Sequence, residues 1–86
     1  MKLPGIKVFY SPLCANCPEA KRIAREVAEE EEIGLEEINI LSPQGEKTGR
    51  EYEVKGVPLV LVNEKYRISG IPDKAELLKL IRKDTI

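Results

Sequence analysis

Ile6-Lys7-Val8-Phe9-Tyr10-Ser11-Pro12-Leu13-Cys14-Ala15-Asn16-Cys17 is the stretch on which the reading of this chain turns. Its first five residues form a short apolar run with strand character, Ser11-Pro12 stops that run, and two thiols three positions apart follow at the mouth of a long helical pattern. Thiols at that spacing can close a disulfide on each other. A thiol at the start of a helix also meets backbone N–H groups that lack intrahelical partners, and the end of the helix dipole that favours negative charge, so a thiolate is stabilised there. Spacing and setting together predict a redox pair.

From Cys17 onward the apolar positions Ala20, Ile23, Ala24, Val27 and Ala28 recur at helical spacing, with Lys21, Arg22, Arg25, Glu26, Glu29 and Glu30 on the other face. Cys17 lies three residues before Ala20 and seven before Ala24, so it belongs to the inward stripe, whereas Cys14 sits a turn earlier, nearer solvent. Cys14 is therefore expected to be the attacking thiol and Cys17 the resolving one. Two bland readings stand beside this. A pair of small buried hydrophobes leaves the spacing and placement without a reason. Half of a structural zinc site needs further ligands, and the chain has no His and no third Cys. As a structural staple the bridge is poor, because the chain-entropy benefit grows with loop length.

At 86 residues, 42% of them hydrophobic, the chain has room for one modest core, so residues 1–86 are expected to form a single domain. A net charge of -1 removes the electrostatic case for nucleic acid or an anionic membrane, both of which want a basic face. Met1-Lys2-Leu3-Pro4-Gly5 opens too quickly into a strand for a secretory signal, and no apolar run approaches the roughly 18 residues of a membrane helix. The expectation is a cytoplasmic monomer in a reducing compartment, with neither nucleic acid nor membrane as partner.

The remaining elements follow from local signals. Gly34 is expected to stop the first helix. Residues 35–41 read as a second strand, with Ile38 and Ile40 on one face. Ser42-Pro43 is a good helix start, Ser as N-cap and Pro at the first helical position. The helix it opens is expected to be weak, because Gly45 and Gly49 lie inside it and only Tyr52 and Val54 offer much to bury. Residues 58–62 are nearly all apolar, as in a strand covered on both faces. Asn63-Glu64 makes a tight turn into a last strand at 65–69. Asp73 and Glu76 fit a capping box opening a helix that buries Leu77, Leu78 and Ile81. This order gives an α/β fold: a mixed sheet with helices on both faces. Lys47-Thr48 is similar to the end of a phosphate loop, but Glu46 precedes it and the upstream glycine is absent, so nucleotide binding is not expected.

Ser11-Pro12-Leu13-Cys14-Ala15-Asn16-Cys17-Pro18 resembles the active-site segment of small glutaredoxin-like proteins, and Tyr52-Glu53-Val54-Lys55-Gly56-Val57-Pro58 resembles the thioredoxin segment that carries a cis-proline. Ser69-Gly70 followed by Asp73-Lys74-Ala75-Glu76-Leu77 resembles the end of the thioredoxin sheet and the start of its last helix. Motif order is kept along nearly the whole chain, most similar to the short archaeal thioredoxins. The resemblance implies a minimal thioredoxin fold, βαβαββα with a four-stranded mixed sheet, and a thiol-disulfide oxidoreductase acting on protein disulfides. It implies no bound cofactor and no metal, with electrons from an external thioredoxin-reductase-type donor or a small thiol. It further implies that Pro58 is cis and lies beside the Cys14-Cys17 pair, that the backbone of Val57 pairs with a substrate peptide, and that Gly70 lets substrate come close. The departures are specific. Leu13 and Val8 stand where thioredoxins usually carry a Trp and a buried Asp, which leaves the proton acceptor for Cys17 unassigned. Ser11 and Gly70-Ile71 stand where glutaredoxins usually carry a Lys and a Gly-Gly pair that help hold glutathione, and Asp73 alone matches that end. A glutathione-dependent glutaredoxin is the second reading, and a redox-silent or metal-bridging interaction module the third.

Overall fold

In the computed structural model, which describes residues 5–83, the first strand β1 (Gly5–Tyr10) is covered on both faces: Ile6, Val8 and Phe9 are each 2% exposed or less. The elements that follow are α1 (Cys17–Glu31), β2 (Gly34–Asn39), α2 (Pro43–Glu51), β3 (Leu59–Val62), β4 (Tyr66–Ser69) and α3 (Lys74–Lys83). The strands lie side by side in the order β2-β1-β3-β4. β1 runs parallel to β2, with Ile6 opposite Leu35, and antiparallel to β3, with Phe9 opposite Leu59; β4 is antiparallel to β3. This is the expected mixed sheet of four strands in the order βαβαββα.

The period of two along each strand divides the core between the faces. Ile6, Val8, Val60 and Val62 pack with Ile23, Ala24 and Val27 of α1 and with Leu77 and Ile81 of α3. On the opposite face Phe9, Ile38, Leu59 and Leu61 gather with Ile40, Tyr52, Val54 and Val57 around α2. Tyr52 and Val54 thus take the packing role expected of them, the Tyr52 ring lying 5.9 Å from that of Phe9. α3 is also tied to α1 across its outer face, Lys74 to Glu30 at 3.1 Å and Arg82 to Glu31 at 3.2 Å. These exposed pairs add little energy. The buried leucine and isoleucine hold the helix in place.

Three local expectations are corrected. α1 does not run to Gly34, which is the first residue of β2. It stops at Glu32, held in the left-handed region at φ 54°, with the Glu32 N–H on the Glu29 carbonyl and the Ile33 N–H on that of Ala28. α2 closes the same way: Glu53 has φ 54°, its N–H meets the Arg50 carbonyl, and the Val54 N–H meets that of Gly49. Both ends are Schellman motifs with glutamate where glycine is usual, so the glycine signal points past the true stop. β2 ends at Asn39, short of Leu41, because the Asn39 side-chain oxygen takes the Leu41 N–H at 2.9 Å while its carbonyl takes the Ser42 N–H and hydroxyl. Ser42 then caps α2 as expected, accepting from the Gly45 N–H at 3.0 Å.

Gly45 is the third correction. It is buried, and a Cβ there would lie 1.8 Å from the Asn39 carbonyl oxygen and 2.7 Å from Ser42 Oγ. The glycine is a close approach of α2 to the end of β2, not a weak point. Asn63 and Glu64 both have positive φ, the geometry of a two-residue hairpin turn of type I′, as expected between β3 and β4.

Two substitutions test these points. Gly45→Ala gains about 1 kcal/mol in helix propensity, but the clash is with backbone, so a net loss of about 1–3 kcal/mol is expected in denaturant unfolding; a stabilised Gly45→Ala protein contradicts the close approach. Glu32→Gly relieves the left-handed residue and should gain about 1 kcal/mol, seen as a Tm rise of about 4–8 °C.

Candidate active site

The site grows from the end of β1. The Tyr10 carbonyl takes the Ile40 N–H at 2.9 Å, which completes pairing with the β2 side, and the chain leaves the sheet at Ser11. Ser11 organises the loop. Its Oγ accepts from the Leu13 N–H and its carbonyl from the Cys14 N–H, both at 3.1 Å, which turns the chain back so that Cys14 precedes α1. Asn16 is the N-cap in helical conformation without a side-chain capping bond, and its carbonyl accepts from the Ala20 N–H at 3.2 Å. Pro18 sits in the first turn, where its missing N–H costs nothing.

The two thiols are placed unequally. Cys17, the first residue of α1, is 1% exposed, and Cys14 is partly exposed; both are free thiols. Burial pushes the Cys17 thiol up from its ordinary range, and the hydrogen bond and charge of Cys14 push the same way; a backbone hydrogen bond with Ser11 and the Lys21 ammonium pull it down. Val8, at the position of the thioredoxin Asp, is fully buried and apolar, so the first strand offers no carboxylate to Cys17. The charge that favours this thiolate is instead a cation. Lys21 lies one helical turn beyond Cys17, its Nζ 4.0 Å from the centre of the Tyr10 ring. Helical periodicity alone puts Lys21 on the outer face, and its spacing of four from Cys17 is the signal that could have tied it to the site.

The other expected site residues gather at the same end of the sheet. Phe9 pairs with Leu59 and Leu59 with Ser69, so Pro58 and Gly70 lie one step further on, where β1 gives way to the cysteine loop. The Gly70 N–H donates to the Pro58 carbonyl at 2.9 Å, and the Val57–Pro58 peptide is cis. Gly70 has φ +82°, which favours glycine, and a Cβ there would meet nothing within 4 Å. Val57, Pro58, Ser69 and Gly70 line an open groove of about 370 Å³. Two apolar side chains stand exposed beside the key residues: Leu13, next to Cys14, is 87% exposed and Ile71, next to Gly70, is 46% exposed. Among the described residues no group of three or more His, Cys, Asp or Glu could hold a metal ion, and no helix is long and apolar enough to cross a membrane.

Known proteins similar to this chain were found by both sequence and shape. The family model for the thioredoxin domain matches residues 5–82. A probable thioredoxin of Archaeoglobus fulgidus is 38% identical over 78 residues, covering 91% of this chain and 86% of the relative. A thioredoxin of Methanocaldococcus jannaschii is 35% identical over 80 residues, covering 91% and 92%. In shape, a mutant thioredoxin from Halobacterium salinarum superimposes with a TM-score of 0.83 at 22% identity, over 96% of this chain and 75% of that one.

The burial difference predicts an order of reaction. Limiting alkylating reagent at neutral pH should modify Cys14 first, with Cys17 reacting only as the pH rises far enough to ionise it; preferential labelling of Cys17 contradicts the placement. In a Cys14→Ser background, Lys21→Met removes the cation that pulls the Cys17 pKa down. Thiolate absorbance should then appear at higher pH than in the parent, and an unchanged titration rules out the Lys21 field.

Proposed function

The chain belongs to the thioredoxin family of thiol-disulfide oxidoreductases, and we propose that it reduces protein disulfides with Cys14 as nucleophile and Cys17 as resolving thiol. The observation that carries this reading is the unequal exposure of two thiols three residues apart at the start of α1. A partly exposed sulfur can meet a large partner. A buried one can meet only its neighbour.

The reaction runs in two exchanges. Cys14 thiolate attacks one sulfur of the target disulfide; a Cys14–target bond forms as the target S–S bond breaks, and the departing sulfur leaves as a thiolate that takes up a proton. Cys17 then gives up its proton to water and attacks Cys14 Sγ; the Cys14–target bond breaks and the second target sulfur leaves as a thiolate that takes up a proton. Two electrons pass to the target and a Cys14–Cys17 disulfide remains, to be reduced by an external thioredoxin-reductase-type enzyme or a small thiol. The groups around Cys17 time the second exchange. Burial holds Cys17 protonated in the reduced pair, and the neighbouring Cys14 adds to it. Once Cys14 is tied up in the mixed disulfide that second contribution is gone, and Cys17 ionises more readily at the moment it is needed.

The target is read as an extended peptide, its backbone meeting Val57 beside Pro58, with the open space at Gly70 admitting it and Leu13 and Ile71 offering apolar contact. Glutathione fits less well. Ser11 takes the place of the glutaredoxin Lys, and its oxygen is already engaged by the Leu13 N–H. In this reading the protein works as a cytoplasmic monomer, with neither bound cofactor nor metal.

Cys14→Ser should abolish reduction of a protein disulfide, whereas Cys17→Ser should still attack and accumulate a mixed disulfide visible by mass. Turnover coupled to a thioredoxin reductase should exceed that driven by glutathione and its reductase. Faster, saturable turnover with glutathione moves the protein to the glutaredoxin reading. No turnover with either donor rejects both.

A further inference from the structure

We propose that Arg67, on the edge strand β4 and outside the cysteine site, is a positioning residue that locks the loop carrying Val57 and Pro58 in its substrate-ready place. The Schellman closure of α2 takes up the Gly49 and Arg50 carbonyls, and those of Tyr52 and Glu53 lie beyond it. The Arg67 guanidinium takes both, Nη1 donating to the Tyr52 carbonyl and Nη2 to that of Glu53 at 3.0 Å. A planar fork with several donors is suited to two successive carbonyls; a single ammonium is not.

The clamp sits at a decisive point in the chain. Tyr52 is already fixed on the core side by its ring against Phe9 and by its hydroxyl donating to Glu64 at 2.7 Å. Arg67 joins that anchor to β4, opposite Leu61 in the ladder. The far end of the loop is joined to the same sheet edge where the Gly70 N–H meets the Pro58 carbonyl. The loop is therefore a short span held at two points of one edge, and Arg67 borders the groove that Val57, Pro58 and Gly70 line. Arg67 touches neither thiol by any of these bonds. Its loss is expected to alter how a peptide is received and to leave the sulfur chemistry alone.

This rests on the protein-disulfide reading, and the experiment separates the two. Arg67→Met keeps the aliphatic stem and removes the fork. KM for a protein disulfide should rise by about three- to tenfold, the loss of one or two hydrogen bonds, while turnover of a small aromatic disulfide and the alkylation rate of Cys14 stay as in wild type. Arg67→Lys should fall between. Amide hydrogen exchange supplies the second readout: faster exchange at residues 54–57 in Arg67→Met, with β1 and β3 unchanged, supports the clamp even if the wild type proves inactive on proteins. An unchanged KM in an active protein, an equal fall on both substrates, or unchanged loop exchange overturns it.

Discussion

The burial of β1 on both faces is the constraint from which the rest of the molecule follows. A strand covered on two sides must have neighbours on both edges to satisfy its backbone, and here β2 supplies the parallel edge and β3 the antiparallel one. Because β1 is central, the place where it ends is where the chain leaves the interior. The cysteine loop begins there, and the same end of the sheet receives the start of β3 and the finish of β4. The site is thus a product of strand register: Pro58 and Gly70 reach the cysteine end because Leu59 is opposite both Phe9 and Ser69.

Within that frame the thiol chemistry is governed by an opposition of desolvation and charge. Burial disfavours a Cys17 thiolate, and the fully buried Val8 offers no carboxylate from the first strand. Lys21 and the Ser11 backbone work in the other direction. In the proposed reaction this balance keeps Cys17 as the thiol in reserve.

Much of this was legible in the sequence because it depends on local pattern. The order of elements, the hairpin at Asn63-Glu64, the Ser42 cap and the inward setting of Cys17 follow from periodicity and turn chemistry. The family resemblance carried the grouping of Val57, Pro58 and Gly70. The misreadings lie where backbone geometry, which leaves no mark in the residue pattern, sets what a residue does. Gly45 looks like a helix breaker until Asn39 is placed against it, and Glu32 and Glu53 do not announce a left-handed stop that glycine would have signalled. Arg67 is an ordinary outward residue of an edge strand until the end of α2 lies across it.

The packing of α3 has a consequence for how the protein comes into being. Leu77 and Ile81 complete the same cluster as Ile6 and Val8, so the core joins nearly the first and nearly the last described residues of the chain. During synthesis, α1 and the buried face of β1 leave the ribosome long before the helix that covers them. Contacts of such high sequence separation close late and carry a large share of the loop entropy. A nascent chain halted before α3 therefore leaves Ile6, Val8, Val60 and Val62 without part of their apolar cover, and with it a sheet face open to other chains.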